Sequence, residues 1–198
     1  MTCEESTPDT DPVPWRTLER TVVFEPDGGR YLTVEQHVVE LPDGQVIDDW
    51  LWLRTPAFVN VLVQTADHDF LVFRQTKYAV DGLTLAVVGG YVEPGEDPAV
   101  AAGREVLEET GWRPTEVRSL GSYPVDGNRG AGVAHLFLAT GAQPVPAAQR
   151  LVSDDLEDQV LVRMDRTELE AAVLRGDFKV VSWSATIALG LLTLDKSN

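Results

Sequence analysis

The chain has 198 residues and a mass of 21.7 kDa, with 43% hydrophobic and 24% charged residues. That balance excludes a wholly disordered chain and fits one domain, or one domain with a small addition. The net charge of −16 makes nucleic acid an unexpected partner, because a phosphate backbone repels so acidic a chain. The only cysteine, Cys3, cannot form an intrachain disulfide, and no membrane span or signal segment is visible, so we expect a cytoplasmic protein with no membrane partner.

The N-terminal third is predicted to be a tail followed by antiparallel strands. Residues 1–14 mix acids, Thr and Pro with little to bury, which predicts a disordered acidic tail. From Trp15, β-rich runs alternate with turns that contain Pro-Asp-Gly or Asp-His-Asp. The predicted strands are 21–25, 31–41, 46–54, 57–65 and 70–75. We therefore expect an N-terminal antiparallel β subdomain over 15–56 and the main domain over 57–198.

The rest of the chain mixes helices with strands. Asp97 suits a helix N-cap, Pro98 the first helical position and Gly111 the position after the last turn, which predicts a helix between them. Two further helices are predicted at 167–174 and 184–194, strands at 133–139 and 159–164, and a loop at 143–148. Because no regular βαβ repeat is present, we expect an α/β fold with a mixed β-sheet sandwiched between helices.

The predicted helix after Asp97 carries a concentrated set of acids. At about 100° per residue, Glu105, Glu108 and Glu109 share one arc, opposite an apolar face. Three neighbouring carboxylates repel one another unless a cation lies among them. Arg104 offsets part of that charge, and Mg²⁺ prefers such oxygen ligands. A solvated helix face remains the alternative interpretation of these acids taken alone.

The spacing of this stretch is typical of one family. Residues 90–112 read GYVEPGEDPAVAAGREVLEETGW, which fits the pattern G-x5-E-x7-R-E-U-x-E-E-x-G-U with U apolar. The pattern is the Nudix box, and the chain is identified by it as a member of the Nudix hydrolase family. The positions that match are Gly90, Glu96, Arg104, Glu105, Val106, Glu108, Glu109, Gly111 and Trp112.

The resemblance implies a Nudix fold and hydrolysis of a nucleoside diphosphate linked to another moiety. It implies Glu105 and Glu109 as the principal ligands of Mg²⁺, with Mn²⁺ as the other possible ion. Glu108 shares that site as ligand and catalytic group, and the Gly89 carbonyl is a further ligand. Arg104 is implied to orient the carboxylates, and Glu96 to support the loop–helix geometry or the outer shell of the metal.

Residues 15–194 also resemble the ADP-ribose pyrophosphatases within this family. In that group the N-terminal sheet is exchanged between the subunits of a homodimer, and an aromatic residue stacks on adenine. Trp15 matches the stacking position and Glu35 a base-contacting acid, although packing in the core is the alternative for Trp15. Arg74 and Lys77 match a phosphate-binding segment, with ordinary surface pairing as the alternative.

An acidic loop before the strand at 159–164 resembles the family's mobile loop, which supplies a further metal ligand or general base. Glu157 aligns best with that residue, and Asp155 is the second choice. The expected reaction converts ADP-ribose into AMP and ribose 5-phosphate. Val34 and the sequence Ala86-Val-Val-Gly-Gly90 depart from the subgroup, so GDP-mannose or a UDP-sugar is an alternative substrate. A non-catalytic domain that binds ADP-ribose as a sensor is the alternative from another class.

Overall fold

The computed structural model of the chain describes residues 11–146 and 158–196. Contacts divide these residues into two units. The N-terminal unit contains the residues up to Thr55 together with Asn128–Ala131, and the C-terminal unit contains Pro56–Gly127 and the residues from Gly132 onward. The predicted domain boundary between 56 and 57 stays a prediction, because contacts within one chain do not test independent folding.

The N-terminal unit is an antiparallel meander. Its strands are β1 (Arg16–Phe24), β2 (Thr33–Glu40) and β3 (Val46–Arg54), paired in that order. The connection from β1 to β2 turns sharply where Asp27 and Gly28 take φ values of 51° and 65°. At the second position, glycine adopts a positive φ at no steric cost. Alternate residues of β2 are buried, whereas every residue of β1 is exposed. The predicted hairpins are therefore present, and one strand of the meander is uncovered.

The C-terminal unit is built on a mixed sheet. Among the described residues the remaining strands are β4 (Phe58–Thr65), β5 (Phe70–Lys77), β6 (Val80–Ala86), β7 (Val88–Tyr91), β8 (Trp112–Arg113), β9 (Glu116–Asp126), β10 (Gly130–Pro144) and β11 (Gln159–Met164). β10 runs parallel to β4, whereas β7 pairs with β4 and β11 pairs with β5 in antiparallel fashion. The strand β10 starts within the segment that belongs to the N-terminal unit.

Three helices of the C-terminal unit occupy the positions that the sequence predicts. They are α1 (Pro98–Thr110), α2 (Arg166–Arg175) and α3 (Val181–Asp195). At the start of α1 the Asp97 carboxylate accepts a bond from the Ala99 N–H at 2.8 Å, and at its end Gly111 is left-handed with φ 69°. No helix among residues 11–146 and 158–196 is long and apolar enough to cross a membrane.

The core of the C-terminal unit lies around β4. Val59, Val61, Leu62 and Val63 are fully buried. Helices α1 and α3 both pack against this strand, and Gly190 of α3 lies so close to Leu62 that an added Cβ would meet its Cδ2 at 2.6 Å. A strand that is buried on both faces is expected to be apolar at successive positions. The sheet between helices that the sequence predicts is confirmed.

One predicted loop is wrong in part. Gln143 and Pro144, the first residues of the predicted loop 143–148, continue β10 because they pair with Arg113 and Trp112 of β8. Pro is tolerated there because this short ladder ends at that residue. Residues 147 and 148 lie outside the described residues.

Candidate active site

Arg104 gathers the acids of α1 and of the loop before it. Its Nε and Nη2 donate to the two oxygens of Glu96, each at 2.9 Å. Its Nη1 donates to Glu105 at 2.8 Å and to Glu108 at 3.0 Å, and Nη2 also donates to the Tyr91 carbonyl at 3.1 Å. A planar guanidinium that binds one carboxylate with two donors is held in a single orientation. The geometry is the one that an orienting residue requires, and that role of Arg104, implied by the family resemblance, stays a prediction.

The loop between β7 and α1 is fastened by the same carboxylate. Glu96 Oε2 accepts a bond from the Glu93 N–H at 3.0 Å, which closes a tight turn around Gly95, whose φ is +82°. The Glu96 side chain is only 12% exposed, so its bonds are shielded from water. Glu96 therefore connects the loop to the helix, which is the position expected for it.

The charges in this cluster stabilise one another. The hydrogen bonds from Arg104, and less so the bond from the Glu93 N–H, lower the pKa of Glu96 despite its burial. The bonds to Glu96, Glu105 and Glu108 raise the pKa of Arg104, against the opposing effect of partial burial. Arg104 therefore stays charged and Glu96 stays ionised at neutral pH.

Two glycines of β7 allow α1 to come close to the sheet. A Cβ at Gly90 would lie 2.5 Å from Glu105 Oε2 and nearer still to the rest of that carboxylate. The neighbouring Gly89 N–H points to Glu109 Oε2 at 3.4 Å. Glycine at both positions thus brings the β7 backbone next to two of the predicted metal ligands. The structure thus places Gly89, Glu105, Glu108 and Glu109 in one region with Arg104.

The donor set suits a divalent cation with a preference for hard oxygen ligands. Glu105, Glu108 and Glu109 present carboxylate oxygens on one side of α1, and the backbone of Gly89 lies beside Glu109. In the parts of the chain that the structure describes, no three acidic, His or Cys side chains form a ready cation cage, and Arg104 binds one oxygen each of Glu105 and Glu108. The residues fit the metal in chemistry, and their role as ligands stays a prediction. Glu157 and Asp155 lie outside the described residues.

The predicted phosphate-binding residues lie on β5. Arg74 is exposed. Lys77, at the end of the strand, is partly buried. Their roles stay predictions.

In the N-terminal unit, the two predicted base-contacting residues differ in environment. Trp15 is 46% exposed and meets the Trp50 ring edge to face, with ring centroids 5.0 Å apart. Glu35 is buried, where His37 Nε2 lies 2.9 Å and Arg54 Nε 2.7 Å from its oxygens. The His37 bond, followed by the Arg54 charge, lowers the pKa of Glu35 against the effect of burial. Glu35 thus already has two partners within its own unit.

Trp50 is held by residues that the sequence did not indicate. The Arg129 guanidinium lies 4.1 Å from the centroid of the Trp50 ring, and Trp50 Nε1 donates to the Asn128 carbonyl at 2.9 Å. Arg129 also donates to the Leu51 carbonyl at 3.0 Å. The alternation of Trp50 and Trp52 along β3 indicates a shared aromatic face, but nothing in the sequence connects it to a segment 78 residues later.

Comparison with known proteins identifies the family. The family model of the NUDIX domain matches residues 53–183, more than half of the chain. The chain therefore belongs to the Nudix family, and the fold described above is that of a Nudix domain. A crystal structure of an ADP compounds hydrolase superposes with a TM-score of 0.78 over 96% of this chain and 98% of that one, at 19% identity, and so supports the fold.

Three curated relatives share parts of the sequence. A CMP-5′-(N-acetyl-N-hydroxy-3-aminopropyl)phosphonate hydrolase of Streptomyces rubellomurinus is 36% identical over 59% of this chain and 56% of its own length. The chain thus spans little more than half of that relative. A methanol dehydrogenase activator of Bacillus methanolicus is 27% identical, and an ADP-ribose pyrophosphatase of Bacillus subtilis 22% identical, each over 76% of this chain and 79% of the relative.

Proposed function

We propose that the protein is a metal-dependent pyrophosphohydrolase that cleaves the diphosphate bond of a nucleoside diphosphate sugar. The observation that carries the proposal is the cluster in which Arg104 holds the carboxylates of Glu96, Glu105 and Glu108 beside the backbone of Gly89 and Gly90. A helix face that only contacts solvent would not require a guanidinium with five hydrogen bonds. It would also not require a glycine where the Glu105 carboxylate packs against the sheet.

Each residue has a distinct task in this proposal. Glu105, Glu108, Glu109 and the Gly89 carbonyl would hold Mg²⁺ or Mn²⁺, and Glu157 would join them or act as general base. When bound, such an ion neutralises phosphate oxygens and acidifies a water ligand. Arg104 fixes the carboxylates before substrate arrives, so that little reorganisation is needed during the reaction. A carboxylate within hydrogen-bond reach accepts the proton of the attacking water.

We infer that ADP-ribose is the substrate, with AMP and ribose 5-phosphate as products. An ADP-ribose pyrophosphatase among the relatives supports this substrate. Trp15, which presents nearly half of its surface to solvent, is proposed to stack on the base. Arg74 and Lys77 are proposed to bind the phosphates, where their positive charge offsets the acidity of the chain.

A second candidate is a CMP-linked substrate. The relative with 36% identity is named for the hydrolysis of a CMP-phosphonate, whereas the ADP-ribose pyrophosphatase is only 22% identical. Both substrate classes join a nucleotide phosphate to a second phosphorus through oxygen, so the same cluster serves either. The identity of the base then decides between the candidates.

The test is a substrate panel assayed with Mg²⁺, with the products resolved by chromatography. The panel contains ADP-ribose, CMP-linked compounds, GDP-mannose and a UDP-sugar. Glu105→Gln and Glu109→Gln should each lower turnover about 100-fold or more while the fold survives, because each change removes a charge from a repulsive set. Glu116→Gln, which alters an exposed acid on β9, is the matched control and should retain activity.

Two results contradict this proposal. If both α1 variants turn over within a few-fold of the unmodified chain, the carboxylates are not the metal ligands. If ADP-ribose binds and no panel compound is hydrolysed, the protein is a sensor rather than an enzyme.

We also propose a homodimer assembled through the N-terminal unit. Leu18, Val22 and Phe24 of β1 are 46%, 51% and 55% exposed in the single chain, an uncovered apolar strand of the kind that subunits bury. Deletion of residues 1–14 should leave the dimer intact, whereas deletion of 1–44 should give insoluble or inactive protein. A monomer in light scattering at micromolar concentration would contradict the assembly.

A further inference from the structure

A histidine lies on the same face of the sheet as the carboxylate cluster. In the C-terminal unit, Gly90 of β7 pairs with Val59 of β4, and Val59 pairs with His135 of β10. Residues paired in this way point to the same face of a sheet. A Cβ added to Gly90 would point at the Glu105 carboxylate of α1. The side chain of His135 therefore projects from the sheet face that α1 covers. With strands about 4.8 Å apart, His135 lies about 10 Å across the sheet from Gly90.

A serine fixes the orientation of this imidazole. Ser122 Oγ on β9 lies 2.7 Å from His135 Nδ1. Since Nδ1 is occupied by this bond, Nε2 is the nitrogen turned away from β9. The His135 side chain is partly exposed, unlike Val59 beside it, which is fully buried. The ring is therefore both held and accessible.

The contact with Ser122 is compatible with Nε2 as a hydrogen-bond donor. A hydroxyl both donates and accepts. In the tautomer in which the Ser122 O–H donates to Nδ1, the ring proton lies on Nε2. That Nε2–H suits an anionic acceptor.

We propose that His135 is a substrate-binding residue whose Nε2–H donates to a phosphate oxygen of the diphosphate, and that Ser122 is its positioning residue. The inference rests on the proposed function, since it extends the same site across the sheet. Glu105, Glu108 and Glu109 repel phosphate oxygens that no cation covers, and a neutral or cationic donor on the same face offsets that repulsion. His135 supplies such a donor.

Kinetics of three variants and one control variant test the contact. His135→Gln places an amide N–H near the position of Nε2, whereas the shorter His135→Asn does not reach it. His135→Asn should raise KM about 10- to 100-fold with kcat nearly unchanged, as expected for a lost charge-assisted hydrogen bond, and His135→Gln should restore most of the loss. Ser122→Ala should raise KM by a smaller factor, because it frees the ring without removing it. His68→Gln, at a turn elsewhere in the unit, should behave as the unmodified chain.

Imidazole NMR of the full chain gives a readout independent of turnover. The chain has only three histidines, so each imidazole signal is assigned by one variant. Titration with the non-hydrolysable α,β-methylene ADP and Mg²⁺ should shift the His135 signals and leave those of His68 in place. Binding without a His135 shift, or equal KM for His135→Asn and the unmodified chain, overturns the inference alone. A His135 shift without hydrolysis of any panel compound supports the inference and overturns the proposed hydrolase. Absence of binding together with absence of hydrolysis overturns both.

Discussion

Substitution of Gly90 by Ala tests whether the position of the Glu105 carboxylate sets the rate. The new Cβ would lie 2.5 Å from Glu105 Oε2, whereas ordinary contacts lie at 3.4–4 Å, so the carboxylate must retreat by about 1 Å. A misplacement of about 1 Å in a catalytic group costs on the order of 100-fold in rate. We therefore expect kcat to fall about 100-fold in Gly90→Ala.

The fold should tolerate that change. The atoms in the way belong to the end of a flexible side chain, and Gly90 does not have a positive φ. The expected loss of stability is about 0.5–1.5 kcal/mol, the contribution of one hydrogen bond, here the bond from Arg104 to Glu105. Activity and stability are thus predicted to respond very differently.

Gly103→Ala is the matched control on the same motif. Gly103 lies within α1, and an added Cβ there would meet nothing within 4 Å. Ala in place of Gly within a helix should stabilise the protein by about 0.5–1 kcal/mol and leave kcat unchanged. Steady-state hydrolysis measures kcat of both variants, and thermal unfolding measures their stability. Similar kcat values for Gly90→Ala and the unmodified chain would refute the reasoning.

Three further predictions follow from other contacts. Arg104→Lys removes the planar guanidinium with its paired donors, so we expect the free energy of unfolding in urea to fall by about 1–3 kcal/mol. Turnover should drop about 10-fold or more. Unchanged stability and turnover would refute the orienting role of Arg104. Because the folded-state pKa of Glu35 is lowered, the stability that its carboxylate contributes is complete above the ordinary pKa of a glutamate and is lost as the pH falls through the folded-state pKa. Glu35→Gln should then be less stable at pH 7 and show a flatter loss of stability in acid, measured by unfolding at several pH values. Trp15→Ala should raise KM for ADP-ribose roughly 5- to 100-fold with little change in kcat, while Trp15→Phe stays mild. A soluble Trp15→Ala protein with unchanged KM for every adenine substrate would contradict stacking.

Elements with strong local signals could be predicted from the sequence. The strands 46–54 and 159–164 coincide with β3 and β11, and the ends of α1 follow from Asp97 and Gly111. The carboxylate cluster was predictable for the same reason, because its members lie within one loop and one helix. Spacing along the chain then fixes which side chains meet.

Features that depend on distant pairing could not be predicted. The strand β6 contains Asp-Gly and β9 contains both Gly121 and Pro124, which in isolation indicate turns. Each is a strand because a neighbouring strand, β5 or β10, supplies its hydrogen bonds. The contact of Arg129 with Trp50 and that of Ser122 with His135 depend likewise on long-range register, which a single sequence does not reveal.

The Arg104 network also bears on how the protein can be handled. Because its guanidinium already binds Glu96, Glu105 and Glu108 and offsets part of their charge, it connects the loop to the helix without a metal ion. Purification in the presence of a chelator should therefore yield folded protein that can be frozen and stored. Adding a chosen ion afterwards then allows Mg²⁺ and Mn²⁺ to be compared on one preparation.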